Sequence, residues 1–180
     1  MKSSARGHKG KGQRCTIVDG YNVVARKAGS SLAKIADLET ARRDLEDQLA
    51  QYRAVYDEDV IVVYDAQHRR GPSVSERRAG IEIIFTDAGE TADARIERLV
   101  YEIRENYRDI TVATSDAAEQ QVSFGGGALR ISANELLLRL DNMQRYIRKQ
   151  TDESNTGSRR MLSDSIRDDV AKALEKWRRK

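Results

Sequence analysis

The sequence predicts an α/β protein: a mostly parallel central sheet with helices on both faces. Short β-branched runs alternate with stretches whose apolar residues recur every three or four positions, the order that β-α-β crossovers produce. The run Val60–Tyr64 is apolar without interruption, which suits a strand covered on both sides. A chain of 180 residues suffices for one such domain with a short appendage and is cramped for two.

Met1–Arg14 combines Gly, Ser, Lys and Arg with no apolar periodicity and reads as an unfolded basic arm. Cys15–Val18 is the first strand, ended by Asp19-Gly20. After a loop around Gly29-Ser30-Ser31, Leu38, Ala41, Leu45, Leu49, Tyr52 and Tyr56 trace one face of a helix. Val60–Tyr64 follows and runs into Asp65. Residues 66–80 hold the only proline, Pro72, and the pairs Arg69-Arg70 and Arg77-Arg78, which predicts a basic loop on the sheet edge that carries Asp65. Ile81–Phe85 is a third strand, and Ala92, Ile96, Leu99, Val100, Ile103 and Tyr107 mark the next helix. Ile110–Ala113 is a fourth strand, after which Thr114-Ser115-Asp116 opens a short helix to about Ser123. Gly125-Gly126-Gly127 turns into an edge strand at Leu129–Ile131. Ser132-Ala133-Asn134-Glu135 has capping-box form and starts a helix carrying Leu136, Leu140, Met143 and Ile147. A polar linker over 151–162 precedes a last helix with Ile166, Val170, Leu174 and Trp177 on one face. The domain therefore spans 15–150, between an arm over 1–14 and an extension over 151–180.

Composition narrows the chemistry. Cys15 is the only cysteine and His8 and His68 the only histidines, which excludes an internal disulfide, a thiolate cage and a multi-histidine zinc site. The lone thiol favours a reducing compartment, cytoplasmic or organellar, and no apolar run is long enough to span a bilayer or serve as a signal peptide. The net charge of +3 hides a partition. Residues 1–14 carry +5, residues 139–180 carry twelve bases against seven acids, and residues 15–138 carry fifteen against twenty-two. An acidic body between basic ends suits a cation-binding centre whose flanks meet a polyanion. It suits a basic tail beside ordinary solvated helices equally well.

Four aspartates fall where the predicted strands end. Asp19, Asp65 and Asp116 follow the first, second and fourth strands, and Asp93 lies in the first turn of the helix after the third. A parallel sheet brings all four to its carboxyl edge, where open α/β sheets bind ligands. Each has a local reading as a turn former or helix cap. Together they conflict: two carboxylates about 4 Å apart repel by roughly 1 kcal/mol in water and about 4 kcal/mol at an effective dielectric near 20. Such a group needs a cation or raised pKa values, and all-oxygen ligation suits Mg²⁺ or Mn²⁺. With no Cys/His pair and no local serine–histidine arrangement, phosphodiester hydrolysis is the natural reaction class. Tyr21 occupies the position where haloacid-dehalogenase-type phosphatases need a second aspartate. Gly125-Gly126-Gly127 leads to Ala128-Leu129-Arg130 rather than to a phosphate-binding Lys-Ser/Thr, and no dinucleotide glycine fingerprint is present. A receiver-like phosphoacceptor also clusters aspartates at a sheet edge and stays open.

The motifs Val18-Asp19-Gly20-Tyr21-Asn22, Ile61-Val62-Val63-Tyr64-Asp65, Glu90-Thr91-Ala92-Asp93 and Ala113-Thr114-Ser115-Asp116 form an ordered set. With Phe124–Arg130, Ser132–Leu137 and Glu175–Arg179, the set resembles the YacP-like branch of the NYN-domain ribonucleases, relatives of the PIN-domain nucleases, from residue 15 onward. The resemblance implies a PIN-like three-layer α/β/α fold and a Mg²⁺- or Mn²⁺-dependent endoribonuclease, with ribosome-associated cleavage of mRNA described in this branch. Carried onto this chain, it makes Asp19, Asp93 and Asp116 the metal-binding acids. Asn22 would orient Asp19 or a bound water, Asp65 would act behind them or at a second metal, and Glu90 would assist or merely precede its helix. Arg69, Arg70, Arg77, Arg78 and Arg130 are candidate RNA contacts, as are His68 and Tyr21 for stacking on a base. The alternative is an RNA- or ribosome-binding module with little catalysis of its own.

Overall fold

The structure is a computed structural model that describes residues 13–65, 74–114, 123–124 and 127–151. The chain divides into two compact units, 1–140 and 141–180. In the first, the elements run β1 (Arg14–Asp19), α1 (Gly20–Ala28), a 3₁₀ turn (Leu32–Lys34), α2 (Leu38–Tyr56) and β2 (Asp59–Tyr64). They continue with β3 (Val74–Arg78), β4 (Ile81–Phe85), α3 (Ala92–Ile103), β5 (Asp109–Thr114), β6 (Ser123–Phe124) and β7 (Ala128–Ser132). A last helix, α4, covers 133–151, its first turn capped by the Ser132 hydroxyl, which accepts the Glu135 N–H at 3.1 Å. Residues 141–151 of α4 belong to the second unit, where Arg145 pairs with Asp141 at 2.7 Å.

Among the described residues the sheet has seven strands in the order β3-β4-β2-β1-β5-β7-β6. Its five inner strands are parallel, and β3 and β6 pair antiparallel at the two edges. Period-two alternation sorts the side chains of each strand. Cys15, Ile17, Ile61, Val63, Ile84, Ile110 and Val112 face α3 and pack on Ile96, Leu99, Val100 and Ile103. Val18, Val62, Tyr64 and Phe85, also buried, lie outside that cluster, and α1 and α2 pack against the sheet as well. The α/β class and the mostly parallel sheet are as the sequence predicts, and no described helix is long and apolar enough to cross a membrane.

The differences have local causes. α1 occupies residues 20–28, a stretch between Asp19-Gly20 and the Gly29 loop to which the sequence assigns no element; its apolar face is short, Val23 and Val24, and its start is written as Asp-Gly. Residues 74–78 form strand β3 rather than loop, because Ala79 and Gly80, with φ of 48° and 87°, make a two-residue reversal onto β4. The strand near 129–131 spans Ala128–Ser132 and is internal, since Ser123–Phe124 extends the sheet beyond it. α3 stops at Ile103, and Tyr107 packs on the core from the following loop. Of the arm expected over 1–14, residues 1–12 lie outside the described residues and Arg14 begins β1. The short helix expected from Thr114 to about Ser123 falls on 115–122, outside them too, with Ser123 in β6, and the final helix also lies outside them.

Candidate active site at the carboxyl edge

β1 delivers Asp19 directly into α1. Its backbone is extended, and its carboxylate accepts the N–H of Asn22 at 3.1 Å, closing the first helical turn. Glycine at residue 20 permits this, because a Cβ there would overlap three ring carbons of Tyr64. That ring is fully buried, stacks on Phe85 at 5.4 Å and meets Tyr21 at 4.8 Å. Asp65 follows β2, the neighbouring strand, in which Val63 is registered with Asp19. Asp93 comes from the other layer, in the first turn of α3, whose cap Thr91 accepts the Ala94 N–H at 3.2 Å.

These three acids line one cavity of about 380 Å³, together with Tyr21, Asn22 and Thr91. The Asp19 carboxyl is pushed up to about 6. Burial is the largest cause; the Asn22 bond opposes it, and the charges of Asp93 and then Asp65 add to it. The three carboxylates thus share one electrostatic environment although 74 positions separate the first from the last.

The fold brings Asp19, Asn22, Asp65 and Asp93 together; Asp116, Arg69, Arg70 and His68 lie outside the described residues. Arg130 donates to the Thr114 hydroxyl at 3.1 Å, at the end of the strand that leads to Asp116. The Glu90 carboxylate pairs with Arg98 at 2.6 Å and does not line the cavity. Arg77 and Arg78 do not sit on the Asp65 edge. β3 runs antiparallel, so Arg78 lies opposite Ile81 at the amino end of β4, where it holds Glu46 at 2.7 Å and Asp47 at 2.9 Å. Sequence reading passed over Arg42, whose guanidinium lies 5.6 Å from the Tyr64 ring centre and 5.2 Å from that of Phe85. Its signal was the Arg42/Glu46 spacing of four on a helix.

Three carboxylates face one cavity, one of them with a raised proton affinity, and carboxylate oxygens are the donor type that hard divalent cations take. The described residues alone contain no group of three or more acids, His or Cys placed to hold an ion, so a complete set would need a ligand from outside them.

A parallel sheet with acids converging where its strands end is the architecture of the PIN-like, nuclease-type fold. The YacP-like NYN domain family matches residues 16–179, and the chain belongs to it. The Bacillus subtilis (strain 168) protein YacP is 38% identical over 167 residues, covering 91% of this chain and 95% of that protein. The crystal structure of Rae1 (YacP) from Bacillus subtilis matches with a TM-score of 0.66 at 36% identity, over 92% of this chain and 94% of that one. A tryptophan-to-leucine mutant of the same protein matches at 0.65 and 36% identity, over 80% and 85%. The family implies nuclease-type hydrolysis with RNA as the substrate.

Proposed function

We propose that this chain is a divalent-metal-dependent endoribonuclease that cuts mRNA in association with the ribosome. The observation that supports it most is the single cavity shared by Asp19, Asp65 and Asp93, where Asp19 is held at a raised pKa by burial and by its two acidic neighbours. In this reading Asp19, Asp93 and Asp116 hold Mg²⁺ or Mn²⁺. Such an ion, when bound, supplies an activated water and polarises a phosphoryl oxygen. The chain's own groups set the geometry. The Asn22 N–H fixes one Asp19 oxygen, Thr91 fixes the turn that carries Asp93, and Asp65 adds negative charge beside them. Arg130, with Arg69 and Arg70, is placed in this reading on the path of the RNA backbone.

The test incubates the full chain with naked and with ribosome-bound mRNA, with Mn²⁺ or EDTA, and maps the RNA ends. New internal ends should form with Mn²⁺, vanish in EDTA, and fall on the order of 10²-fold or more in Asp93→Asn, the scale of losing one preorganised charge contact in an active site. Turnover unchanged in both Asp19→Asn and Asp93→Asn would end the assignment. Salt-sensitive binding that survives EDTA and leaves no new ends would establish the binding-module reading instead, the one favoured by the basic ends of the chain.

A further inference from the structure

In the proposed reading the acids and the ion they would hold concern the phosphate alone, and the aromatic side of the cavity is left to meet another part of the substrate. We propose that Tyr21 is the wall on which a base of the RNA stacks, and that Arg42 is the residue that positions it. This rests on the nuclease reading of the same cavity and adds which part of the substrate that cavity recognises.

Tyr21 lines the cavity beside Asp19, Asn22 and Asp65 and is half-buried. It is braced by its neighbours. Its ring leans on Tyr64 at 4.8 Å with the planes tilted by 57°, and Tyr64 stacks in turn on Phe85. Its hydroxyl is hydrogen-bonded to the Arg42 side chain. Arg42 is itself fixed from two sides. Its guanidinium covers the rings of Tyr64 and Phe85, and its Nε lies 3.4 Å from the buried Glu46 carboxylate. Glu46 is held from the opposite side by Arg78 at 2.7 Å, and Arg78 is tied down by Asp47 at 2.9 Å. A chain of charges therefore runs from the β3 edge through α2 to one tyrosine in the pocket.

That arrangement fits a base. The charged walls of the cavity are all carboxylates, which repel phosphates, whereas an aromatic face attracts any base without needing charge. Tyrosine offers a large contact area at low entropic cost, and here its ring already rests on Tyr64. A tyrosine that served packing alone would not need a partly buried cation at its hydroxyl on the rim of the cavity.

The experiment labels the full chain with 3-fluorotyrosine on an Asp93→Asn background, which removes one negative charge and the cleavage step. The Tyr21 resonance is assigned by its disappearance in Tyr21→Phe. Titration with the trinucleotide ApApA should shift that resonance to saturation, while an abasic trinucleotide with the same riboses and phosphates should leave it in place. Affinity for ApApA should fall about tenfold or more in Tyr21→Leu and stay within about threefold in Tyr21→Phe, since stacking survives loss of the hydroxyl. Arg42→Met should weaken binding of ApApA without altering binding of the abasic trinucleotide, and Arg42→Lys should restore part of the loss. Equal resonance shifts with both trinucleotides, or unchanged ApApA affinity in a Tyr21→Leu protein with a native melting curve, would overturn the proposal. The outcome is independent of cleavage: RNA cutting with an unresponsive Tyr21 removes this inference alone, and a responsive Tyr21 in a chain that cuts no RNA removes the nuclease reading alone.

Discussion

Both ends of the sheet gather acids, and the two ends treat them oppositely. At the amino end Glu58 is buried, accepts the Thr16 hydroxyl at 2.9 Å and lies 3.5 Å from Arg14. It also takes a hydrogen bond from Tyr52, whose hydroxyl is pushed up to about 12 by burial first and the Glu58 charge second. Asp59 accepts the Tyr107 hydroxyl at 2.8 Å and faces Arg53 at 3.9 Å. Each of these carboxylates is met by a hydroxyl and a guanidinium. At the carboxyl end Asp19 accepts one backbone N–H and feels two further carboxylates. Acids matched with cations hold the strands together, whereas acids grouped with acids store a demand for positive charge.

The largest effect that sharpens this contrast belongs to the amino end. Glu58→Ala leaves the buried Thr16 hydroxyl without the acceptor it uses and removes one of the two partners of Tyr52, the other being Arg139, so it should cost about 2–3 kcal/mol of stability. Urea denaturation reads the loss, and RNA cleavage per folded molecule should not change. A fully stable Glu58→Ala protein would mean that the paired acids are not what holds that end.

Next in size is Gly20→Ala. The added methyl meets the buried Tyr64 ring, which is confined by Phe85 and Arg42, so strain of about 2 kcal/mol should appear in denaturation. Because residue 20 is the first of α1, relief of that strain would move Asp19, and cleavage should fall with stability. Normal cleavage at reduced stability would separate the junction from the site.

Much of this contrast was legible in the sequence, for a physical reason. Strand ends in a parallel sheet fall on one edge whatever the details of packing, so Asp19, Asp65 and Asp93 could be assembled from alternation alone. What stayed hidden depends on single local events. The positive φ of Ala79 and Gly80 turns a basic loop into β3 and carries Arg77 and Arg78 to the wrong end for the site. The helix behind Asp19 was hidden because Asp-Gly reads as a turn unless the Tyr64 ring that fills the missing Cβ space is known. Arg42 was invisible for a similar reason: its role is set by two rings on other strands, not by its own neighbours in the chain.

The smallest effect is the most direct measure of crowding at the carboxyl edge. The Asp19 carboxyl stands at about 6 in the folded chain against an ordinary value of 3.8. A raised folded value means that the folded state holds this proton more tightly than the unfolded one. The stabilisation that protonation gives is therefore complete below about pH 4 and is lost as the pH rises through about 6. Asparagine cannot ionise, and its Oδ1 can still accept the Asn22 N–H that caps α1. In EDTA at pH 7, Asp19→Asn should thus be more stable than the natural chain by about 1–2 kcal/mol, after allowance for solvent screening of a partly exposed group. The gap should shrink toward zero near pH 4, and Mn²⁺ at pH 7 should narrow it by stabilising the natural chain more than the variant. Urea midpoints across that range measure it. A gap of constant size, or a natural chain that is the more stable at pH 7 without metal, would show that the carboxylates of this edge are as well matched as those of the other.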